Sequence, residues 1–259
     1  MQNQNVKKYL IIMVAVAFAV AIVAACVTLF SVKKVSADFS VYGNSQAEEI
    51  QKELDLLKGK NMVFLKTADV YAICDKYPYY EITSVEKSYP NVLKVSVTKR
   101  VEAFTVTDAD KTYVLDDEGH VLSDNGQAEF PQNTVPITLG ELKISSAVLG
   151  EKIVTTDDEL FYSVIKSSRE AGLTGVVKNI DLKLFFNGES YEGDAVMGTY
   201  TGVEINVQKI NDDGEAKIRA AFNKYETLSD YEKSSCKLIV TKNPTSGEIY
   251  ADWSENSVI

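Results

Sequence analysis

The sequence predicts an α+β protein with an N-terminal transmembrane helix, a small β-α-α-β-β domain, and a larger mixed β domain with two or more helices. Three observations support this prediction. Residues 9–30 contain no charged side chain, apolar residues recur at helical spacing in four later segments, and apolar and polar residues alternate in several others. At 259 residues, the chain is long enough to fold as two units with their own cores.

The apolar segment runs from Tyr9 to Phe30, with Lys7-Lys8 before it and Lys33-Lys34 after it. As a helix of about 1.5 Å per residue it spans about 33 Å, which matches a hydrocarbon core of about 30 Å. A first apolar segment so near the N-terminus normally leaves that end in the cytoplasm. We therefore expect a single-pass cell-membrane protein with a cytoplasmic tail over 1–8 and an extracytoplasmic body.

Cys26 offers an alternative to an uncleaved membrane span, because Val23-Ala24-Ala25-Cys26 resembles the lipobox of bacterial lipoproteins, in which the cysteine carries the lipid. The apolar run continues past the cysteine through 27–30, which favours an uncleaved anchor over a lipidated N-terminus. Cys74 lies on an apolar helix face and Cys236 at a strand start, so both fit as small buried side chains. A Cys74–Cys236 disulfide in an exported body is the other interpretation.

The charge of the chain is concentrated in the body. Residues 1–34 carry four lysines and no acid, whereas the rest carries 23 basic and 37 acidic side chains, a net charge of −14. Such a body repels nucleic-acid phosphates, so we expect no nucleic-acid binding. His120 is the only histidine, which excludes multi-histidine metal sites. We expect no metal, no cofactor and no catalytic residue.

Residues 38–104 form the predicted small domain. A strand over 39–42 precedes a helix with a Ser45–Glu48 capping box, which Gly59 ends. A second helix begins with Thr67 as its N-cap, and Pro78 ends it. Two strands follow, over 82–89 and 93–97. The helices bury two apolar stripes: Ala47, Ile50, Leu54 and Leu57, then Val70, Ile73, Cys74 and Tyr77.

Residues 105–253 form the predicted β domain, with a C-terminal tail over 254–259. A hairpin joins strands 112–115 and 120–122 through Asp116-Asp117-Glu118-Gly119, with Gly119 at a positive φ. A helix follows a Thr156–Glu159 capping box, and a second has the stripe Ile218, Ala221, Phe222, Tyr225 and Leu228. The other predicted strands cover 180–186, 195–200, 203–207, 237–241 and 248–253.

We recognise no catalytic or metal-binding motif in the sequence. A calcium loop read from Asp108 has Tyr113 where glycine is required and Gly119 where glutamate is required. The acidic cluster from Asp108 through Asp110 and Asp116 to Glu118 therefore predicts a solvated hairpin loop. His120 is expected as an exposed strand-end residue, and Lys99-Arg100 as a solvated basic pair.

The C-terminal segment is the best candidate for binding. Residues 247–253 alternate in polarity and include the only tryptophan, Trp253. A last strand often lies at a sheet edge, where unpaired main-chain groups accept a strand from a partner. Ile249, Tyr250 and Trp253 are therefore candidate partner-binding residues. The alternative is that Trp253 simply covers the core.

The chain resembles the FtsQ/DivIB family of bacterial cell-division proteins, in which one span precedes a POTRA domain and a β domain. The positions that carry the resemblance are Val41-x-Gly43, Gly59-x-Asn61, Pro78, Ile82, Val85, Pro90, Leu93, Val95, Val97, Lys99-Arg100, Ala103, Leu115-Asp116-x-x-Gly119-x-Val121, Pro136, Leu139-Gly140 and Lys217. The sequence departs from the family pattern at Val101-Glu102, where proline is common, and at Gln208, where glycine is common.

The resemblance implies a non-catalytic scaffold at the division septum. In this family, the C-terminal part of the β domain binds the small bitopic proteins FtsB/DivIC and FtsL. It also implies a partner-binding role for Lys217 near the start of a helix. The alternative function is a lipid-anchored or membrane-anchored extracytoplasmic cell-wall enzyme or ligand-binding protein.

Overall fold

The computed structural model describes residues 2–41, 43–108, 111–124, 134–170, 172 and 175–255. The chain divides into two compact units, Met1–Lys99 and Arg100–Ile259. Both units mix helices with sheets, so the predicted α+β class is confirmed. Tyr42, Asp110 and 256–259, which belong to the predicted first strand, the acidic cluster and the C-terminal tail, lie outside the described residues.

The first unit opens with a long apolar helix, α1 (Gln2–Leu29). Within the described residues, one helix is long and apolar enough to cross a membrane, over Ile12–Leu29. Leucine, valine and isoleucine side chains along this span are exposed, which is the pattern of a helix whose solvent is lipid.

The rest of the first unit follows α1 after four residues. Its elements are β1 (Lys34–Phe39), α2 (Ser45–Asp55), α3 (Thr67–Tyr71), a 3-10 helix (Ala72–Lys76), β2 (Tyr80–Ser88) and β3 (Val92–Lys99). The strands form one sheet in the order β1-β3-β2, with β1 parallel to β3 and β2 antiparallel to it. Apolar side chains of the sheet pack against those of the helices, including Ile50, Leu54 and Val70.

The second unit is built on one large mixed sheet. Its elements are β4 (Phe104–Asp108), β5 (Lys111–Leu115), β6 (Val121–Ser123), β7 (Val135–Thr138), β8 (Ile144–Ser146), β9 (Val154–Thr155), α4 (Asp158–Glu170), β10 (Val177–Phe186), β11 (Tyr191–Thr199), β12 (Glu204–Val207), α5 (Gly214–Thr227), α6 (Asp230–Ser235), β13 (Cys236–Lys242) and β14 (Ile249–Glu255). In the described residues, nine strands follow the order β14-β13-β12-β11-β10-β7-β4-β5-β6, and β8 pairs with β9 separately.

Helices α4 and α5 cover one face of this sheet. The α5 stripe of Ile218, Ala221, Phe222 and Tyr225 is buried, and α5 packs against β12, β13 and β14 as well as α4. Burial alternates along β13, where Leu238 and Val240 are buried and their neighbours are not. This alternation is the period-two pattern that the sequence predicts for a sheet with one covered face.

The predicted helix caps are wrong at four positions. Helix α2 ends at Asp55 with Leu56 as its C-cap, so Gly59 lies in the turn after the helix and does not end it. Asn44, not Ser45, caps α2, because its Oδ1 accepts the N–H of Ala47 at 2.9 Å. At α4, Asp157 accepts the N–H of Leu160 at 3.0 Å, while Thr156 donates to the Tyr191 hydroxyl. The second predicted helix has Lys66, not Thr67, as its N-cap and changes to 3-10 geometry at Ala72.

Some of the strand predictions are confirmed and others are wrong. The hairpin of β5 and β6 is confirmed, with Gly119 at φ +85°. The first strand, by contrast, is Lys34–Phe39 rather than 39–42, because pairing with β3 extends it towards α1. Strands β4 and β7, helix α6 and the small β8–β9 pair are absent from the predicted elements.

Cys74 and Cys236 are buried free thiols, one in each unit, and Cys26 is an exposed free thiol on α1. Burial raises the pKa of the Cys236 thiol above its ordinary value, and the nearby Glu232 carboxylate adds to this shift. Cys236 is therefore a small buried side chain at the start of β13, as the prediction without a disulfide has it.

Candidate functional site

Strand β14 lies at one end of the nine-stranded sheet. It pairs antiparallel with β13 over seven residues, from Cys236 opposite Glu255 to Lys242 opposite Ile249. Within the described residues, β13 is its only strand partner. The outer side of β14 is therefore a sheet edge, the position expected for this segment.

The register shows which main-chain groups face outward from β14. The N–H of Asn243 donates to the carbonyl of Glu248 at 2.8 Å, which makes these two residues a hydrogen-bonded pair. Because such pairs alternate with non-hydrogen-bonded pairs, Ile249, Ala251 and Trp253 turn their N–H and C=O groups away from β13. Glu255, the last residue of the strand, follows the same alternation, so four residues present the groups to which an added strand would bond.

The candidate side chains on β14 lie on opposite faces of the sheet. Trp253 lies opposite Leu238, on the face that α5 covers, and 41% of its surface is exposed. Ile249, on the same face, is half-buried and packs against the core. Tyr250 lies on the other face and donates from its hydroxyl to Glu248 at 2.6 Å. Trp253 therefore lies at the margin of the core and does not close it.

Lys217, the fourth candidate, is buried in the first turns of α5 with 1% of its surface exposed. Its Nζ donates to the carbonyls of Gln208 (3.0 Å) and Lys209 (2.9 Å) in the turn between β12 and α5. Burial lowers the pKa of this ammonium, and the carboxylate of Asp212 opposes that shift from 3.9 Å. The side chain has no surface to offer a partner directly; it fixes the turn.

The same turn is joined to the terminal hairpin. Lys242, the last residue of β13, pairs with Asp212 at 3.1 Å and with Asp213 at 2.6 Å. Hydrogen bonds to these two carboxylates raise the pKa of Lys242. Because Lys242 lies opposite Ile249, the β12–α5 turn and the start of β14 are held in one charged cluster. The sequence does not predict this role for Lys242, since nothing local indicates its partners.

A second polar site lies in the β5–β6 hairpin. Asp116 is buried, and its Oδ1 accepts the N–H groups of Glu118 (2.9 Å) and His120 (2.8 Å). Its Oδ2 lies 2.9 Å from Nδ1 of His120 and 3.7 Å from Nε of Arg100. An aspartate that bonds to the backbone two residues later is a common turn device, which the Asp-x-x-Gly pattern signals.

This geometry corrects the expectations for three residues, His120, Arg100 and Asp116. His120 and Arg100 were expected in solvent, but their side chains are only 15% and 13% exposed. Asp116 likewise is not part of a solvated acidic loop, because its carboxylate orders the turn. Both of its oxygens are occupied in holding residues 116–120, so the pair with His120 serves the hairpin. Among the described residues, no group of three or more His, Cys, Asp or Glu side chains could hold a metal ion.

Comparison with known proteins adds no assignment. No family model matches the chain, and no curated protein matches it. The support for a function therefore comes from the geometry above and from the residues that carry the family resemblance.

Asp116 predicts a specific acid sensitivity. Burial alone would raise its pKa, but hydrogen bonds from His120 and Glu118 outweigh burial and hold the pKa below its ordinary value. The native state therefore gains stability from the ionised form above about pH 4, and loses it as the pH falls below that value. Asp116→Asn should be less stable at neutral pH and should lose less of its remaining stability on acidification.

Urea unfolding of the detergent-solubilised chain at neutral and acidic pH measures this difference. Asp117→Asn, on the same turn but exposed, is the control and should follow the wild-type profile. An unchanged acid profile in Asp116→Asn would show that the buried carboxylate does not contribute to the acid sensitivity.

The buried hydrogen bonds of Lys217 predict that its substitution lowers stability, although the side chain makes no exposed contact. Lys217→Met keeps the apolar stem but leaves two main-chain carbonyls without their donor, at a cost of about 1–3 kcal/mol in the free energy of unfolding. Lys166→Met on α4 removes an exposed surface pair and should change stability by less than about 1 kcal/mol. Urea denaturation of both variants tests the comparison, and equal effects would reject a structural role for the Lys217 hydrogen bonds.

Proposed function

We propose that this chain is a non-catalytic scaffold of the bacterial divisome, of the FtsQ/DivIB type. In this proposal α1 spans the cell membrane with its N-terminus in the cytoplasm, and the rest of the chain lies outside, at the division septum. The part of the first unit that follows α1 is a POTRA domain, and the second unit is the β domain. The position of β14 at the edge of the large sheet is the observation that carries the proposal.

The proposed mechanism is strand addition to β14. A partner strand would bond to the outward N–H and C=O groups of Ile249, Ala251 and Trp253. Main-chain bonds of this kind supply affinity, while side chains next to the edge supply specificity. Trp253 suits that role because an exposed aromatic ring offers a large contact area at low conformational cost.

The proposed partners are the small bitopic division proteins of the FtsB/DivIC and FtsL type. Such proteins would share the bilayer with α1, so each encounter would take place between molecules confined to one plane. Confinement raises the effective concentration of the partner, and a moderate affinity at the edge is then sufficient.

The Asp116–His120 pair is the observation that bears on an enzymatic alternative. An aspartate bonded to Nδ1 of a histidine is also found in catalytic triads, where it orients the ring towards a nucleophile. Here, however, the same carboxylate accepts two backbone N–H groups of its own turn. We therefore assign the pair to the hairpin and propose no reaction for it.

The outward main chain of β14 gives the first test of strand addition. Ala251→Pro removes an N–H that faces away from β13, and proline is tolerated at this kind of edge position. The hairpin should therefore remain paired while partner capture weakens about tenfold, which corresponds to about 1.4 kcal/mol. Pull-down of FtsB/DivIC-type and FtsL-type proteins with the full chain, together with urea unfolding, measures both properties.

Asp252→Pro is the matched control, one residue away. Its N–H faces β13, so this substitution should break the hairpin and lower the free energy of unfolding. Full capture by a folded Ala251→Pro variant would rule out bonding of a partner strand to this edge.

Trp253 gives a test of the side-chain contribution. Trp253→Ala should weaken capture by at least about tenfold, as expected for an aromatic residue that dominates an interface. Tyr200→Ala, which removes another exposed ring from the same unit, should leave capture unchanged. Truncation after Gly247 should abolish capture while the first unit stays folded, as judged by limited proteolysis. Undiminished capture by the truncated chain would reject the edge-strand site.

A further inference from the structure

A turn of the first unit exposes two large apolar side chains. Val63 is 52% exposed and Phe64 is 79% exposed, whereas Met62 and Leu65 on either side are buried. Single exposed apolar residues are common on protein surfaces. This turn differs from such isolated residues because it is hydrogen bonded to the end of α1.

The turn is hydrogen bonded to the end of α1. The N–H of Val32 donates to the carbonyl of Lys60 at 2.9 Å, and the N–H of Met62 donates to the carbonyl of Phe30 at 2.7 Å. The side chain of Asn61 reaches the carbonyl of Val27, inside the helix, at 3.4 Å. Residue 60 is therefore bonded to residue 32, and residue 62 to residue 30, so the turn runs towards α1. Residues 63 and 64 lie at the end of the unit that adjoins α1.

A second loop adds another exposed aromatic ring at the same end. Tyr89, which is 57% exposed, lies edge-on to Phe30 with the ring centroids 5.9 Å apart. The N–H of Lys33 also donates to the carbonyl of Asn91 at 2.9 Å. Phe64 and Tyr89 therefore extend from two loops that both contact the residues immediately after α1.

The charge on the segment after α1 and around the turn that carries Phe64 has one sign. Residues 30–37 and 56–68 contain five lysines and no acidic residue: Lys33, Lys34, Lys58, Lys60 and Lys66. All five side chains are exposed. Lys58 pairs with Asp55 of α2 at 2.9 Å, so Lys60 and Lys66 are the better lysines of the turn to test. The chain after residue 34 has a net charge of −14, so this group of lysines is a local reversal of sign beside the apolar helix.

We propose that Phe64 and Tyr89 insert into the interfacial layer of the bilayer that α1 spans, and that the surrounding lysines bind anionic lipid headgroups. This inference rests on the proposed anchoring of α1. Aromatic rings favour the headgroup level of a bilayer, and lysines near an anionic surface are attracted to it. The membrane contact then consists of one span plus a docked face of the first unit.

The connection of this face to α1 indicates that the bilayer is what contacts it. A helix that leaves the bilayer at Leu29 brings residues bonded to Val27 and Phe30 to the membrane surface without any further partner. The lysines match anionic headgroups in sign. A transmembrane segment of another protein is the other candidate occupant, and a bilayer that contains this chain alone distinguishes the two.

The test uses the single tryptophan of the chain. Phe64→Trp on a Trp253→Phe background leaves one fluorophore, at the turn, and the full chain is placed in nanodiscs of phosphatidylcholine and phosphatidylglycerol with brominated acyl chains. We expect the fluorescence of the indole at position 64 to fall relative to unbrominated lipid. The loss should decrease in nanodiscs without phosphatidylglycerol, and in a chain that also carries Lys60→Gln and Lys66→Gln.

Two further single-tryptophan chains serve as controls. Val20→Trp reports on α1, and Val41→Trp lies beyond the far end of β1, about 20 Å along the strand from its start. Quenching at 20 and 64 but not at 41 supports the proposal. Quenching at 20 alone overturns docking while α1 remains an anchor; quenching at 41 as well rejects a defined docking face. No quenching at 20 means that the anchor, and docking with it, both fail.

Discussion

A strand bonded on one side only leaves every second main-chain N–H and C=O group without a strand partner, and this constraint governs the end of the large sheet. On β14 those groups belong to Ile249, Ala251, Trp253 and Glu255. Natural proteins protect such edges with charge. Here Asp252 lies between the outward-facing residues, so that antiparallel pairing of two copies centred on this residue would bring two carboxylates together. The edge therefore disfavours self-association while staying accessible to a strand that carries a neutral or basic residue opposite Asp252.

The position of β14 depends in turn on how the chain connects β12 to β13. These strands are parallel, so a crossover must return the chain to the same end of the sheet, and α5 with α6 forms that crossover. Its first turn places a lysine near a helix N-terminus and in the core, two locations that both disfavour a cation. Lys217 is stable there because the carbonyls of Gln208 and Lys209 accept hydrogen bonds from its ammonium group. Lys242 then joins this turn to the start of β14. The buried hydrogen bonds of Lys217 and the exposed edge of β14 are therefore connected through the same turn.

The sequence predicts the features whose causes are local. The α5 stripe, the turn that ends at Gly119 and the alternation in β13 each follow from a few neighbouring residues. Strand β4 escaped prediction because its first three residues are all buried and its burial does not alternate. Strand β7 escaped prediction because it is four residues long and pairs in parallel with β4 and β10, which lie far away in the sequence. The burial of Lys217, Arg100 and His120 could not be predicted because their partners come from other segments or from a folded turn. The caps at Asn44 and Asp157 were missed because serine and threonine close by satisfy the same pattern.

In the proposed function, the apolar helix and the sheet edge act together. An edge strand in free solution binds weakly, because the partner must lose its conformational freedom and its translational freedom at once. A partner confined to the same bilayer has already lost much of its translational freedom, and a linked second contact can raise overall affinity by about 10²–10⁴. Under this arrangement a short edge suffices, because the affinity of the edge alone can be moderate. Weak contacts combined in this way can form and separate repeatedly, so a modest edge fits the proposed scaffold role better than a large, rigid interface.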